Sequence, residues 1–437
     1  MTKVYDSGRT SAIKPAGYWR WVAIVSTFIV VSVSYLDRNN ISIAASSLQR
    51  EFQLSNVQLG QVFSAWILGY ALSQPIAGRI ADRFGASRAI AGALLWWGFF
   101  SALLPFIPPG VTGAMAILMA VRFLHGVGES IIFPASNRLV ASWIPMQERG
   151  LANGIIFAGV GMGGAIAPPL ITFVMLHHSW RWAFWLCALI GLVACAFWLL
   201  LVRNSPAEQR RVSAAEVAYI EAGLPIPKEV AGRTAGWLEV LLNRNIAVLT
   251  MSYFCFGYVA YIFFTWFFKY LSDVRGLNLK ASALYTALPF LAMATGSSLG
   301  GLFSDKILHL AGKRAARCGV AAASMLIASI FVGVATQVAD ARIAALVLAG
   351  GAGALYLSQS AFWAISADIG GPSAGLVSGF MNMGGQLGGA CTAALTPVIA
   401  NHFGWTASFV VTAAVCLTGA ALWMFVDPFH VLVPRRA

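Results

Sequence analysis

The chain has 437 residues, 59% of them hydrophobic and only 10% charged, with a mean hydropathy of +0.75. That composition excludes a soluble globular domain and describes a chain whose solvent is lipid. The net charge of +13 does not point to nucleic acid, because no polar stretch is long enough to gather the basic residues on a soluble face.

The N-terminus, MTKVYDSGRTSAIKPAGYWR, is polar and lacks an apolar core followed by a small-residue cleavage site, so it reads as a retained tail. Twelve apolar runs of spanning length follow: 19–45, 57–78, 86–107, 113–138, 150–175, 180–202, 245–271, 282–303, 315–336, 342–363, 373–400 and 404–427. Lipid requires backbone groups to be paired within each segment, and the short alternating strands of a barrel are missing, so the runs are helices. With the N-terminus inside, 21 of the 29 Lys and Arg fall on cytoplasmic segments and 6 on outer ones, which places both termini in the cytoplasm.

Span one carries Asp37 and Arg38 deep in its apolar run, and span four carries Arg122 and Glu129. An intramembrane charge costs at least about 2.5–3.5 kcal/mol at a helix centre, so such residues are paired or used. Arg122 and Glu129 are seven apart and share a helix face, with Glu129 about 10 Å deeper and His125 between them. Antiparallel spans one and four bring these charges to similar depths. The expected arrangement is an outer Asp37–Arg122 pair, with Arg38 and Glu129 turned toward a central cavity. The competing reading is a set of structural ion pairs holding the two spans together. His125 reads as a packing residue, with a proton-relay role as the less favoured alternative.

After span two comes G-R-I-A-D-R-F-G-A-S-R (Gly78 to Arg88), and a looser G-L-F-S-D-K…G-K-R (Gly301 to Arg314) follows span eight. Asp82 and Arg83 beside Gly85 suit a latch at a helix end that breaks when packed halves move. A second echo pairs S-W-R-W-A-F (Ser179 to Phe184) with G-W-T-A-S-F (Gly404 to Phe409). The hydrophilic stretch 203–244 separates the two copies. The expected organisation is therefore 1–202, a six-helix bundle with a cytoplasmic tail; 203–244, a cytoplasmic central loop; and 245–437, a second six-helix bundle.

Glycines in span five (Ala158 to Pro169) and span eleven (Gly384 to Gly389) suit helices that slide at the interface between halves, not a phosphate loop. Six cysteines without C-x-x-C spacing read as small buried hydrophobes, and His177–His178 alone make no metal site. Spans seven to twelve hold no charge well inside the membrane. They offer neutral and aromatic groups instead: Tyr258, Tyr261, Gln359, Ser360, Trp363, Asn382 and Gln386.

G-x-x-x-D-R-x-G-x-x-R between spans two and three resembles the signature loop of the major facilitator superfamily. R-F-L-H-G-V-G-E (Arg122 to Glu129) resembles its second motif, and Y-L-D-R-N-N (Tyr35 to Asn40) resembles its anion:cation symporter branch. The resemblance spans the chain and implies a twelve-helix, two-bundle facilitator fold whose spans ten and eleven line the cavity.

The function expected is import of a small organic anion, a carboxylate such as a sugar acid, by proton symport and alternating access. Arg38 anchors the anion, since a guanidinium grips a carboxylate in a bidentate way. Tyr35, Tyr70, Gln359, Trp363 and Asn382 contact the substrate; Glu129 and Asp37 carry protons; Arg122, Asp82 and Arg83 form charge pairs or conformational latches. The expected partners are the anion and the lipid bilayer, with no nucleic acid, no cofactor beyond the coupling protons, and a monomeric multi-pass protein of the cell's inner membrane. An enzyme is not expected, because no nucleophile–base constellation accompanies the charges. A non-transporting nutrient sensor, an exchanger and a uniporter of the same fold are the alternatives.

Overall fold

Each apolar run closes its own backbone hydrogen bonds, and the described residues form helices joined by turns and loops, without a strand. The computed structural model describes residues 17–145, 148–224, 236–370, 373–430 and 432, without the side chains at 75, 82, 150, 305, 309 and 374. Among these residues twelve rods have spanning length. The first six are α1 (Trp19–Ile43), α2 (Asn56–Phe84), α3 (Ala86–Phe106), α4 (Ala114–Trp143), α5 (Arg149–His177) and α6 (Trp180–Leu201). The second six are α7 (Arg244–Thr265), α8 (279–311), α9 (313–335), α10 (Ala341–Gly370), α11 (374–403) and α12 (405–425). The outer surfaces carry exposed Leu72, Ile76, Phe99, Leu189, Leu284 and Leu302, the side chains that hydrocarbon accepts.

Local chemistry sets the ends. Ser55 caps α2 by accepting from the Gln58 amide, while the Gln58 side chain accepts from the Ser55 amide, a reciprocal capping box. α2 continues to Phe84, so Arg83 lies in its last helical turn, at the helix end; the chain reverses at Gly85, whose φ of 84° is open to glycine. The second copy of the motif reverses at Gly312 with φ 80°, and a longer helical lead-in absorbs the extra residues. Sequence repetition thus reappears as the same backbone device.

Helix pairing repeats as well. A Cβ on Gly163 would meet the Ser32 carbonyl at 2.1 Å, packing α5 on α1, and one on Gly388 would meet the Phe254 carbonyl at 2.0 Å, packing α11 on α7. Gly126 faces the Trp66 carbonyl (α4 on α2), as Gly300 faces the Leu357 carbonyl (α8 on α10), each at 2.1 Å. The span-eleven glycines therefore pack within the second half, against α7, and not between halves as expected. In span five the expectation holds for Gly161 and Gly164, which abut Ala294 and Phe290 of α8.

Two rods break near mid-depth. α4 is interrupted between Glu129 and Ile132, and α10 is interrupted at Ser358. Broken helices at matching places in two halves mark the interior of many transporters.

Candidate functional site

α1 and α4 face each other across a buried cluster. Asp37, Arg38, Arg122, His125 and Glu129 are all at most 5% exposed. Arg38 Nη2 donates to Glu129 Oε2 at 3.5 Å, and Ser34, one turn earlier on α1, donates to Glu129 Oε1 at 3.1 Å. Ser101 of α3 donates to Asp37 Oδ1 at 2.8 Å. Two guanidinium groups thus balance two carboxylates, which is how lipid-embedded charges become tolerable.

The expected direct pair of Asp37 with Arg122 is not what forms. His125 stands between them: its Nε2 lies 3.3 Å from Asp37 Oδ2 and 3.7 Å from Glu129 Oε1, and its Nδ1 lies 3.3 Å from Arg122 Nη1. Helical geometry explains the insertion. Three residues after Arg122 and four before Glu129, His125 sits on their shared face, and a flat ring fits where two charged ends would otherwise meet. The ring is thus a structural centre of the cluster, which its isolation in the sequence did not suggest.

Beyond Arg38 the space opens into a chamber of about 270 Å³ between the halves. Arg38 lines it, whereas Glu129 does not; the carboxylate is fully buried behind the arginine, a correction to its expected place on the wall. The Arg38 guanidinium carbon lies 4.1 Å from the Tyr35 ring centre, 4.4 Å from Trp66 and 5.2 Å from Tyr70. These π faces stabilise the cation when water is scarce, each by about 0.5–2 kcal/mol.

Opposite stand neutral groups of the second half. Gln359, Trp363, Asn382 and Gln386 line the chamber with Tyr253 and Tyr261. Gln359 Nε2 donates to the Tyr253 hydroxyl at 3.2 Å, and the Tyr261 hydroxyl donates to Gln386 Oε1. Tyr258 is buried and is not part of this wall. Arg38 is the one charged residue among those lining the chamber.

Several wall and cluster residues lacked an isolated signal. Trp66 is four before Tyr70 and Ser34 four before Arg38, so helical spacing from the known residues would have found both. Ser101, Asn153, Ser297 and Ser298 arrive from other spans, and only packing brings them in.

At one end the halves are pressed together. Ser46 donates to Asp273 Oδ2 at 2.8 Å, Phe63 meets Trp266 edge-on with ring centres 5.2 Å apart, and Ser64 Oγ donates to the Ala390 carbonyl at 2.9 Å. The chamber wall instead runs toward Asn153 and Gly154, near the end where Arg20 meets Glu148 at 2.7 Å. Arg20 and the Tyr219 hydroxyl both donate to Glu148, and the hydrogen bond from Arg20 is the main cause holding that carboxyl below the usual range. At the pressed end, hydrogen bonds from Arg181 and Trp180 do the same for Glu51. Arg83 is exposed with its guanidinium carbon 5.6 Å from the Phe84 ring centre, and the Asp82 side chain of the expected latch lies outside the described residues.

A helical bundle with a chamber between two repeated halves is the build of a membrane transporter. Residues 27–390 match the model of the Major Facilitator Superfamily, and the chain belongs to that superfamily. It is 32% identical over 398 residues, 91% of each chain, to a probable sulfoacetate transporter of Cupriavidus necator. It is 28% identical to the hexuronate transporter of Bacillus subtilis, covering 93% of this chain and 94% of that one. Identity to a D-galactonate transporter of Escherichia coli is 29%, over 94% and 96% of the two chains. The fold matches a bacterial homologue of the human lysosomal transporter Spinster at a TM-score of 0.76 and 18% identity, covering 94% of this chain and 97% of that one. These relatives place the chain among transporters of organic anions, and it is a multi-pass membrane protein, not an enzyme.

Proposed function

We propose that this protein imports a small carboxylate anion, such as a sugar acid, by proton symport and alternating access. The observation that carries the proposal is the position of Arg38, which faces the chamber on one side and Glu129 at 3.5 Å on the other. With Glu129 ionised, the cluster is electrically balanced and Arg38 is occupied. A proton on Glu129 releases the arginine and leaves one positive charge in excess, which a substrate carboxylate neutralises by binding in the chamber. Proton and anion therefore load together, and Asp37 is the second proton site.

In this reading Tyr35, Tyr70, Gln359, Trp363 and Asn382 contact the body of the substrate, and the tie between Ser46 and Asp273 closes the outer side. The basic loops put both termini in the cytoplasm of an inner-membrane protein, so the chamber faces inward. The organisation into 1–202, 203–244 and 245–437 supplies the two rocking bodies. One chain contributes both walls, so a monomer suffices, with protons as the coupling ion and no bound cofactor.

The test is uptake of labelled hexuronate, galactonate and sulfoacetate by proteoliposomes. An inward proton gradient is expected to drive accumulation of at least one of them. Glu129→Gln is expected to abolish accumulation while leaving exchange of internal for external anion. Accumulation by that variant at wild-type level overturns the coupling role, and accumulation indifferent to the gradient favours an exchanger or uniporter.

A further inference from the structure

His125 is more than filler between charges. Arginine has donors only, so the ring nitrogen 3.3 Å from Arg122 Nη1 accepts; Nδ1 is then unprotonated, and the hydrogen of the neutral ring is on Nε2. The nitrogen bearing that one N–H lies within reach of two carboxylate oxygens, Asp37 Oδ2 at 3.3 Å and Glu129 Oε1 at 3.7 Å, without a formed hydrogen bond to either. Asp37 Oδ2 and His125 Nε2 are both buried and neither has a hydrogen-bond partner in this arrangement, whereas Glu129 already receives Ser34 and Arg38. The ring cannot become an imidazolium here without turning an N–H against the Arg122 guanidinium. Titratable or charged groups facing the ring are Asp37 of α1 and Arg122 and Glu129 of α4; one contact further out are Arg38 of α1, against Glu129, Tyr70 of α2, against Arg38, and the thiol of Cys187 on α6, which accepts from Asn40 at 3.5 Å.

We propose that His125 is a selector between the two carboxylates: held by Arg122 as the Nε2–H tautomer, it gives its single hydrogen bond to Asp37 or to Glu129. The carboxylate that receives the N–H is favoured as the anion, and the one that loses it is favoured as the acid. No proton passes through the ring, which neither gains nor loses one; protons enter and leave the carboxyl groups themselves. When Arg38 leaves Glu129 for substrate, the selector settles on Asp37 and Glu129 keeps its proton. Release of substrate returns Arg38 to Glu129 and frees its proton. His125 is thus a positioning residue that acts through Asp37 and Glu129, and its transport role rests on the proposed symport.

Two measurements test this. In protein labelled with ¹⁵N-histidine and reconstituted in lipid, the signals absent from His125→Gln identify the ring. Expected are one acceptor-type nitrogen, assigned to Nδ1, and one N–H nitrogen, unchanged from neutral to mildly acidic pH. Two N–H nitrogens at acidic pH, or an N–H at Nδ1, overturn the proposal whatever the protein transports.

The second measurement is the pH profile of galactonate uptake. His125→Gln retains a donor near the position of Nε2 and is expected to keep the wild-type midpoint. His125→Leu is expected to move it upward by about one pH unit, equivalent to one hydrogen bond to a charged group. A wild-type midpoint in His125→Leu, with only the maximal rate reduced, marks His125 as packing and overturns the selector. If galactonate, hexuronate and sulfoacetate are all refused, the symport reading fails while the nitrogen signals still decide the tautomer.

Discussion

α2 meets α4 at Gly126 and α8 meets α10 at Gly300, with the same close approach to a backbone carbonyl at 2.1 Å. The first pair stands beside Arg122, His125 and Glu129, while residues 281–304 and 343–367 of the second carry no Asp, Glu, Lys or Arg. Packing is thus shared by the halves and charge is not. Close approach between helices needs only small residues at the right spacing, so both halves satisfy it independently. A balanced charge cluster needs all its members at once, and concentrating them in one half leaves the other free to shape the chamber with neutral groups.

The sharpest way to break that comparison is Arg38→Lys. Charge is retained but the planar fork is lost, and binding of the transported anion is expected to weaken roughly 10- to 100-fold, the worth of a charge-assisted hydrogen bond. Near-wild-type affinity by isothermal titration removes Arg38 as the anchor.

Packing symmetry is tested next by Gly126→Ala and Gly300→Ala. Each puts a Cβ against a carbonyl at 2.1 Å, and overpacking of this kind costs about 1–3 kcal/mol. Comparable falls in thermal stability in detergent are expected for the two. A fall in only one shows that the halves are not equivalent in packing.

Asn382→Ala samples the neutral half. The Michaelis constant is expected to rise about 2- to 10-fold with proton coupling intact, as for one neutral hydrogen bond. Lost coupling in that variant contradicts the division of labour.

The smallest effect concerns acid stability at the membrane surfaces. Glu51 and Glu148 are held below the ordinary carboxylate range by arginine hydrogen bonds. Their contribution is complete above that range and is lost as pH falls through the lowered values. Melting temperature is therefore expected to drop in strong acid, and Glu51→Gln to flatten the drop slightly; an unchanged slope shows that the Arg181 contact contributes nothing measurable.

Much of this was legible in the residues. The twelve apolar runs appear as twelve rods, since a stretch without charge long enough to cross lipid has few other stable forms. Arg38 and Glu129 were both expected at the cavity; they lie 3.5 Å apart, but only Arg38 reaches the wall. Chain order misplaced the ends: charged residues such as Arg83 continue a helix past the apolar run, since helix formation does not stop where hydrophobicity does. It also misjudged His125, whose neighbour Asp37 on α1 comes from a distant part of the chain.

By itself, then, the sequence determined the membrane environment, the helices, the repeat and the identity of the buried charges, all of which depend on composition or spacing along one helix. Tertiary structure alone decided that Glu129 sits behind Arg38, that an imidazole separates Asp37 from Arg122, and that Trp66 and Tyr70 flank the cation. Those outcomes depend on the distance and rotation between helices, which are set by small-residue contacts such as Gly126 against Trp66.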